Sequence, residues 1–331
     1  MKAVRIVQPH QVEIVDLPIP TPGEKEILIR VEASGICGTD LHILRGEYMG
    51  NYPVIPGHEF SGTVVETGAG VTRFRVGDRV AVEPNLSCDA CEECLNNRQN
   101  FCRNWQAVGV TLPGGMAEYV VVPEKAAFAV GDLPAEQAAF MEPLSCVLHG
   151  MENLSPRMGD RLLIIGAGPI GIQLMRVARL QGAAHITMVE RNPARLMFAA
   201  EAGADRALSS LDDLSPDSFD AVIDATGVPA VLARTLDYVR SGGKVLWFGV
   251  PRSDATMALE PFKIFRKGLT VMGSFTSKRN SYQAVALLQS GALRVDDLIS
   301  HRLPLADFLR GCELLEQGAE GVKKVMILPQ A

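Results

Sequence analysis

Short runs that alternate apolar and polar residues fill the first 130 positions, separated by glycine and proline turns. The opening "MKAVRIVQPHQVEIVDLPIP" alternates in this way, and "EILIRVEAS", "FSGTVVETG", "DRVAVEP" and "MAEYVVVPE" all read as half-buried strands. That spacing predicts a compact β-rich domain. The period changes near residue 134. In "PAEQAAFMEPLSCVLHGMEN", Ala138, Ala139, Met141, Leu144, Cys146 and Val147 crowd one broad helical face. From 161 onward, continuous apolar strands ("RLLII", "HITMVE", "FDAVIDATG", "KVLWFGV", "LTVMGSF") alternate with the helices "PIGIQLMRVARLQG", "PARLMFAAEAG" and "PAVLARTLDYVRSG". Such alternation predicts a parallel sheet covered on both faces. Two helices, "SYQAVALLQSG" and "LADFLRGCELLEQG", and a last strand, "KKVMILP", complete the chain.

Composition narrows the class. A chain of 331 residues, 47% apolar and 21% charged, suggests about two globular domains. A net charge of −6 argues against a large phosphate-binding surface, and so against nucleic acid as a partner. No apolar run reaches signal-peptide or membrane-span length, which makes a soluble cytoplasmic protein with no membrane partner the expectation. In that reducing compartment clustered cysteines point to metal or redox chemistry, and an odd total of seven fits a disulfide framework poorly.

Gly166, Gly168 and Gly171 form "GAGPIG" between an apolar strand and a helix, with Glu190 closing the next strand. Glycines there allow a tight turn and close approach to a pyrophosphate, while the helix start offers free N–H groups. Glu190 suits the ribose hydroxyls and repels a 2′-phosphate, so NAD is expected over NADP. Arg191 beside it is able to accommodate a phosphate.

Cys88, Cys91, Cys94 and Cys102 follow C-x2-C-x2-C-x7-C. Four thiolates make a closed tetrahedral site suited to structural zinc. Ferredoxin-type runs also begin C-x2-C-x2-C but close with C-x3-C-P; here the last cysteine precedes Arg103. A closed shell has no position for substrate, so chemistry belongs elsewhere. "SGICGTDLH" and "PGHEFSG" supply Cys37, Thr39, His42, His58 and Glu59; taken singly, each is equally a core thiol, a helix cap or a surface turn.

Together "CGTDLH", "GHEFSG", the four-cysteine loop, "EPLSC", "GAGPIG" and "DATG" resemble, in order and over essentially the whole chain, the zinc-dependent medium-chain alcohol dehydrogenase family. The resemblance implies an α/β protein in which a GroES-like β-rich catalytic domain (1–150, completed by 276–331) accompanies a doubly wound Rossmann domain (151–275). It implies two zinc ions per chain and a homodimer or homotetramer. Cys37 and His58 would hold the catalytic zinc, with Glu142 as third ligand, as in the sorbitol and threonine dehydrogenase branches, and Glu59 coordinating or approaching it. Thr39 and His42 would form a proton relay. NAD would be held by Gly166, Gly168, Pro169, Ile170, Gly171, Glu190, Arg195, Thr226, Gly249, Val250, Ser274 and Phe275. Cys146, Cys312, His149, His185 and His301 read as structural.

The Glu59 and "EPL" pattern implies oxidation of a secondary hydroxyl of a polyol or polyol phosphate. Sorbitol dehydrogenases place an Arg–Tyr pair where this chain has Thr276 and Ser277, a departure that points away from sorbitol itself. Lys278 and Arg279 read as solvated or as partners of a substrate phosphate. Threonine-type amino-alcohol oxidation and a catalytically idle zinc- and nucleotide-binding protein are the alternatives.

Overall fold

The computed structural model describes residues 1–318 and 321–331. The chain divides into two compact units, residues 1–145 with 277–331, and residues 146–276. The sequence put those cuts at 150/151 and 275/276.

The first unit begins with β1 (Lys2–Gln8) and β2 (Gln11–Asp16), an antiparallel hairpin where the alternating N-terminus suggested one long strand. Pro9 and His10, the latter at φ 65°, make the turn. Then come β3 (Glu26–Gly35), α1 (Gly38–Arg45), β4 (Glu59–Thr67), β5 (Arg79–Val82), β6 (Asn85–Leu86) and α2 (Glu92–Leu95). β7 (Gln106–Ala107), β8 (Tyr119–Pro123), β9 (Ala127–Ala129), α3 (Ala135–Ala138) and α4 (Met141–Leu154) follow, α4 carrying the first cut.

The second unit holds β10 (Arg161–Ile165), α5 (Pro169–Leu180), β11 (His185–Val189), α6 (Pro193–Glu201), β12 (Arg206–Leu208), β13 (Phe219–Asp224), α7 (Pro229–Tyr238), β14 (Val239–Trp247), α8 (Pro261–Lys267) and β15 (Thr270–Gly273). The chain then returns to the first unit as α9 (Ser281–Gln289), β16 (Ile299–Pro304), α10 (Phe308–Gln317) and β17 (Lys324–Leu328).

In the first unit the sheet runs β16-β17-β3-β4-β5-β9, with β8 also pairing β3. β3 is its centre, and its apolar residues Ile27, Ile29 and Val31 pack with Phe60, Val64, Val80 and Val122. A second cluster joins Ile36 to Val325, Ile327, Phe308 and Cys312, so the C-terminal strand closes a core begun by the N-terminal part. Cys312 is a core thiol, as read from the sequence, and burial raises its pKa first of all.

The second unit's six strands are all parallel, in the order β12-β11-β10-β13-β14-β15. This is the doubly wound arrangement the alternation implied, with its order reversal between β10 and β13. The expected helix "PAVLARTLDYVRSG" ends earlier than its pattern: Val239 is fully buried and pairs with Phe219 as the first residue of β14. Sheet pairing there overrides the helical period. α8 and β16 carried no clear apolar period and were not foreseen.

Candidate active site and metal centres

Antiparallel pairing assembles the first centre. Gly35, at the end of β3, lies opposite Glu59, the first residue of β4. The chain leaving β3 at Cys37 therefore runs beside the chain entering β4 at His58. Ligand atoms of Cys37, His58 and Glu59 all lie within 4.8 Å of one another, with His58 and Glu59 buried. Glu142 is also buried, in the first turn of α4, but is not part of that compact set.

Asp40, within "CGTDLH", organises the centre, a role the motif's spacing does not reveal. It is fully buried; its carboxylate accepts from Cys37 N at 2.8 Å and Gly57 N at 3.2 Å, and Oδ1 lies 3.6 Å from His58 Nδ1. Asp40, rather than Thr39 or His42, thus caps the start of α1. Gly57 makes its bond from φ 93°, where a side chain would strike Met116. A carboxylate behind an imidazole fixes the ring's orientation and tautomer, as in most metal-bound histidines.

Lys324, the first residue of β17, completes the surroundings and was also missed. Its ammonium pairs with Glu59 Oε2, both side chains being almost wholly buried. The available signal was a lysine opening an otherwise apolar strand. Burial alone would lower its pKa, but Glu59, Cys37 and Asp40 together hold it above the ordinary lysine range.

The charges fit a metal. Burial pulls His58 down, yet Asp40 and Cys37 more than reverse this, so the ring is held well above its ordinary pKa. Asp40 and Cys37 thus place negative charge beside the ring. Cys37 and His58 are soft and borderline donors suited to zinc. Thr39 lies in the first turn of α1, and His42, in its last turn, holds Glu47 Oε2 at 2.9 Å through Nδ1.

The four-cysteine loop forms the second centre. Cys88, Cys91, Cys94 and Cys102 present their sulfurs within 4.8 Å of one another. The Sγ–Sγ separations of 3.5 Å (Cys91–Cys94) and 3.9 Å (Cys88–Cys94, Cys91–Cys102) are far too long for disulfides. They match a tetrahedron: four sulfurs each about 2.3 Å from a central zinc stand about 3.8 Å apart. Backbone N–H groups of Cys91, Cys88 and Asn104 donate to these sulfurs at 3.3–3.4 Å. N–H groups of Arg103 and Cys94 lower Cys91 to about 6, while burial and adjacent thiols raise Cys94 to about 12. Four like groups so close do not all ionise without a cation among them.

In the second unit, Gly166 turns at φ 101° after β10, Gly168 caps α5, and Pro169, Ile170 and Gly171 form its first turn. A Cβ on Gly171 would stand 1.9 Å from Gly166 O, so only glycine lets the helix sit this close. Glu190 follows β11; its two oxygens accept from Ala167 N and Asn192 N, each at 2.9 Å, which ties it to the glycine loop. Asn192 in turn caps α6, accepting from Arg195 N. Thr226 follows β13 and donates its hydroxyl to the buried Asp224 at 2.6 Å. Gly249 and Val250 follow β14, and Ser274 and Phe275 follow β15. The expected cofactor residues thus gather at the carboxyl ends of parallel strands and the turns after them, the usual seat of a dinucleotide in such sheets.

Around "GSFTSKRN", Ser277 is buried and donates to Glu83 Oε2 at 2.6 Å, a bond shared with Ser281 at 2.7 Å. Arg279 is exposed, 3.8 Å from Asp89. Ser277 is thus structural. No helix among the described residues is long and apolar enough to cross a membrane.

Comparison with known proteins accords with this geometry. Residues 23–132 match the alcohol dehydrogenase GroES-like domain and residues 169–290 the zinc-binding dehydrogenase domain. The chain is 39% identical to D-altritol 5-dehydrogenase of Agrobacterium fabrum, over 93% of this chain and 94% of that one. It is 35% identical to L-threonine 3-dehydrogenase of Shewanella loihica, over 97% and 98%. A zinc-binding dehydrogenase from Sinorhizobium meliloti bound to NADP superposes with a TM-score of 0.93 at 35% identity, covering 99% of each chain. A protein described as a short chain alcohol dehydrogenase from Escherichia coli CFT073, complexed with NADH, does so at 0.92 and 30%, also covering 99% of each.

Proposed function

The chain belongs to the zinc-dependent medium-chain alcohol dehydrogenases, and from that premise we propose that it oxidises a secondary hydroxyl of a sugar alcohol to a ketose with NAD. The observation that carries the reading is the Cys37–His58–Glu59 set, with His58 and Glu59 buried and Cys37 half-buried, whose ligand atoms lie within 4.8 Å of one another and whose histidine has Asp40 Oδ1 3.6 Å from Nδ1. An idle binding protein has no need of so complete a centre. The 39% identity to a D-altritol dehydrogenase supports a polyol, free or phosphorylated, as substrate. Amino-alcohol oxidation is the second reading, supported by the near full-length similarity to L-threonine 3-dehydrogenase.

Cys37 and His58 would hold the catalytic zinc with a carboxylate as third ligand, either Glu59, which lies in the compact set, or Glu142 in the first turn of α4. When bound, zinc polarises the substrate hydroxyl and nicotinamide accepts the carbinol hydride, leaving a ketone. Asp40 keeps the His58 ring oriented. Thr39 Oγ1 would accept the hydroxyl proton as its own proton leaves toward His42, whose Nε2 is the ring nitrogen left to take it up and release it to solvent, because Nδ1 is engaged by Glu47. The four-cysteine loop would carry the second, structural zinc. Glu190 would select NAD by repelling a 2′-phosphate, with the remaining cofactor contacts at the strand ends already described. We place the enzyme in the cytoplasm, whose reducing poise keeps thiols available to metal. A homodimer or homotetramer is supported by the unpaired edge of β15 and by the exposed Phe262 and Phe265 of α8.

The test is a substrate panel of pentitols, hexitols, their phosphates and L-threonine, followed by NADH formation. Turnover of a polyol well above L-threonine is expected. Preference for L-threonine would move the assignment to the second reading, and no NADH with any alcohol would support the idle protein.

A further inference from the structure

Beside the four-cysteine loop the first unit holds an open cavity of about 370 Å³, large enough for a small molecule. Ser87 and Asp89, on either side of Cys88, and Gln99 line it together with Arg279 and Tyr282. None of Cys37, Thr39, His42, His58, Glu59 and Glu142 lines it. Its buried part offers an acceptor. Gln99 is only 9% exposed; Nε2 donates to Cys94 O at 3.2 Å, while Oε1 is buried without a hydrogen-bond partner among the described residues. A buried amide oxygen without a donor is costly, and a hydroxyl group in the cavity would satisfy it.

The exposed part of the lining is cationic. Arg73, Lys125 and Arg279 stand there against two carboxylates, Glu83 and Asp89. Glu83 is saturated by its neighbours: Oε2 accepts from Ser277 and Ser281, and Oε1 from the Asn85 amide at 2.5 Å. Asp89 holds Lys125 at 2.8 Å but Arg279 only at 3.8 Å. The Arg73 guanidinium meets the carbonyls of Glu124 and Ala127 and the Tyr282 hydroxyl, all neutral acceptors. Positive charge on Arg73 and Arg279 is therefore only partly offset. A guanidinium matches the oxygens of a phosphate in two parallel hydrogen bonds. We propose that this cavity binds the phosphate ester of a small polyhydroxylated molecule, its phosphate on Arg279 and a hydroxyl donating to Gln99 Oε1. Arg73 and Lys125 supply the surrounding positive charge. Such a ligand site is separate from the metal centre and does not depend on the reaction proposed for it.

The test uses full-length, zinc-loaded protein. Trp105 Nε1 donates to Asn85 Oδ1 at 3.1 Å, and Asn85 lines the cavity, so Trp105 emission reports on it. The other of the two tryptophans, Trp247 in β14, is removed by Trp247→Phe. Glucitol 6-phosphate, glucitol and inorganic phosphate are titrated in turn. Glucitol 6-phosphate is expected to shift Trp105 emission and to bind about tenfold more tightly than either of the others. The Arg279 side chain is 65% exposed, so its replacement spares the fold. Arg279→Ala is expected to weaken binding about tenfold and Arg279→Lys to weaken it less, because lysine keeps the charge without the paired donors. Cys37→Ser is expected to leave binding unchanged. Glucitol bound as tightly as its phosphate, equal affinity in Arg279→Ala, or binding without a change in Trp105 emission would overturn the proposal. Loss of binding in Cys37→Ser would also overturn it, by placing the ligand at the metal centre.

Discussion

Replacing Asp40 by Asn tests whether one buried carboxylate couples the fold to the metal. The side chains are nearly isosteric, so packing is preserved and charge is removed. In the native protein the carboxylate accepts from Cys37 N at 2.8 Å and Gly57 N at 3.2 Å, on the two segments that carry the proposed ligands Cys37 and His58. An amide offers one oxygen and one NH2 group. One N–H keeps a neutral acceptor, losing about 1 kcal/mol relative to a charged one, and the other is buried against a donor, costing about 1–3 kcal/mol. The sum is about 2–4 kcal/mol, confined to the first unit. The orienting charge behind His58, 3.6 Å from Nδ1, is lost as well, and outer partners of this kind are worth about 10–100-fold in metal affinity. Zinc affinity is measured by competition with a chromophoric chelator, unfolding by urea, and NAD binding by fluorescence as a control on the second unit. The expected result is weaker zinc at one of two sites, lower stability of the first unit, and intact NAD binding. Lower stability with unchanged zinc affinity would reduce Asp40 to a helix cap, and no change in either would refute the electrostatic reasoning altogether.

Dialysis of the holoenzyme against a mild chelator should abolish activity while about one zinc per chain remains in the four-cysteine loop, because a carboxylate-containing site holds zinc less tightly than four thiolates. Glu142→Ala should reproduce that state with the fold intact; full activity would remove Glu142 from the site. Cys94→Ser should leave three thiolates and lower the thermal stability of the first unit by several degrees, and metal analysis finding iron in the loop would overturn the zinc assignment. Glu190→Ser should raise the KM for NAD and improve relative use of NADP, while Glu190→Gln, which retains an acceptor for Ala167 N, should separate charge from loop support. Preference of the wild type for NADP would shift the selection to Arg191 or Arg195.

Much of the centre was legible because its chemistry is local. The four cysteines fall within fifteen residues, 88–102, so spacing alone restricts them to one small shell. The glycine loop likewise lies between a continuous apolar strand and an amphipathic helix, and both periods are written in adjacent residues. Cys37 and His58 were identifiable by motif, although nothing in their spacing brings them together. Elements stabilised by distant pairing were the ones misjudged. Val239 follows a helical pattern but is recruited into β14 by Phe219, and β16 forms beside β17 without an alternating pattern of its own.

Sequence by itself determined the kinds of donor present, the parallel nucleotide-binding architecture and the closed cysteine cage, because each follows from residue type and short-range period. Only the tertiary structure decided which acidic groups lie beside Cys37 and His58. Asp40 is turned inward by the cap it makes on α1, and Glu59 meets Lys324 because β3 pairs with β4 on one edge and β17 on the other. A pairing between residues 59 and 324 has no local signature: it is fixed by sheet register and by the room that Gly35 leaves, and both exist only once the chain has folded.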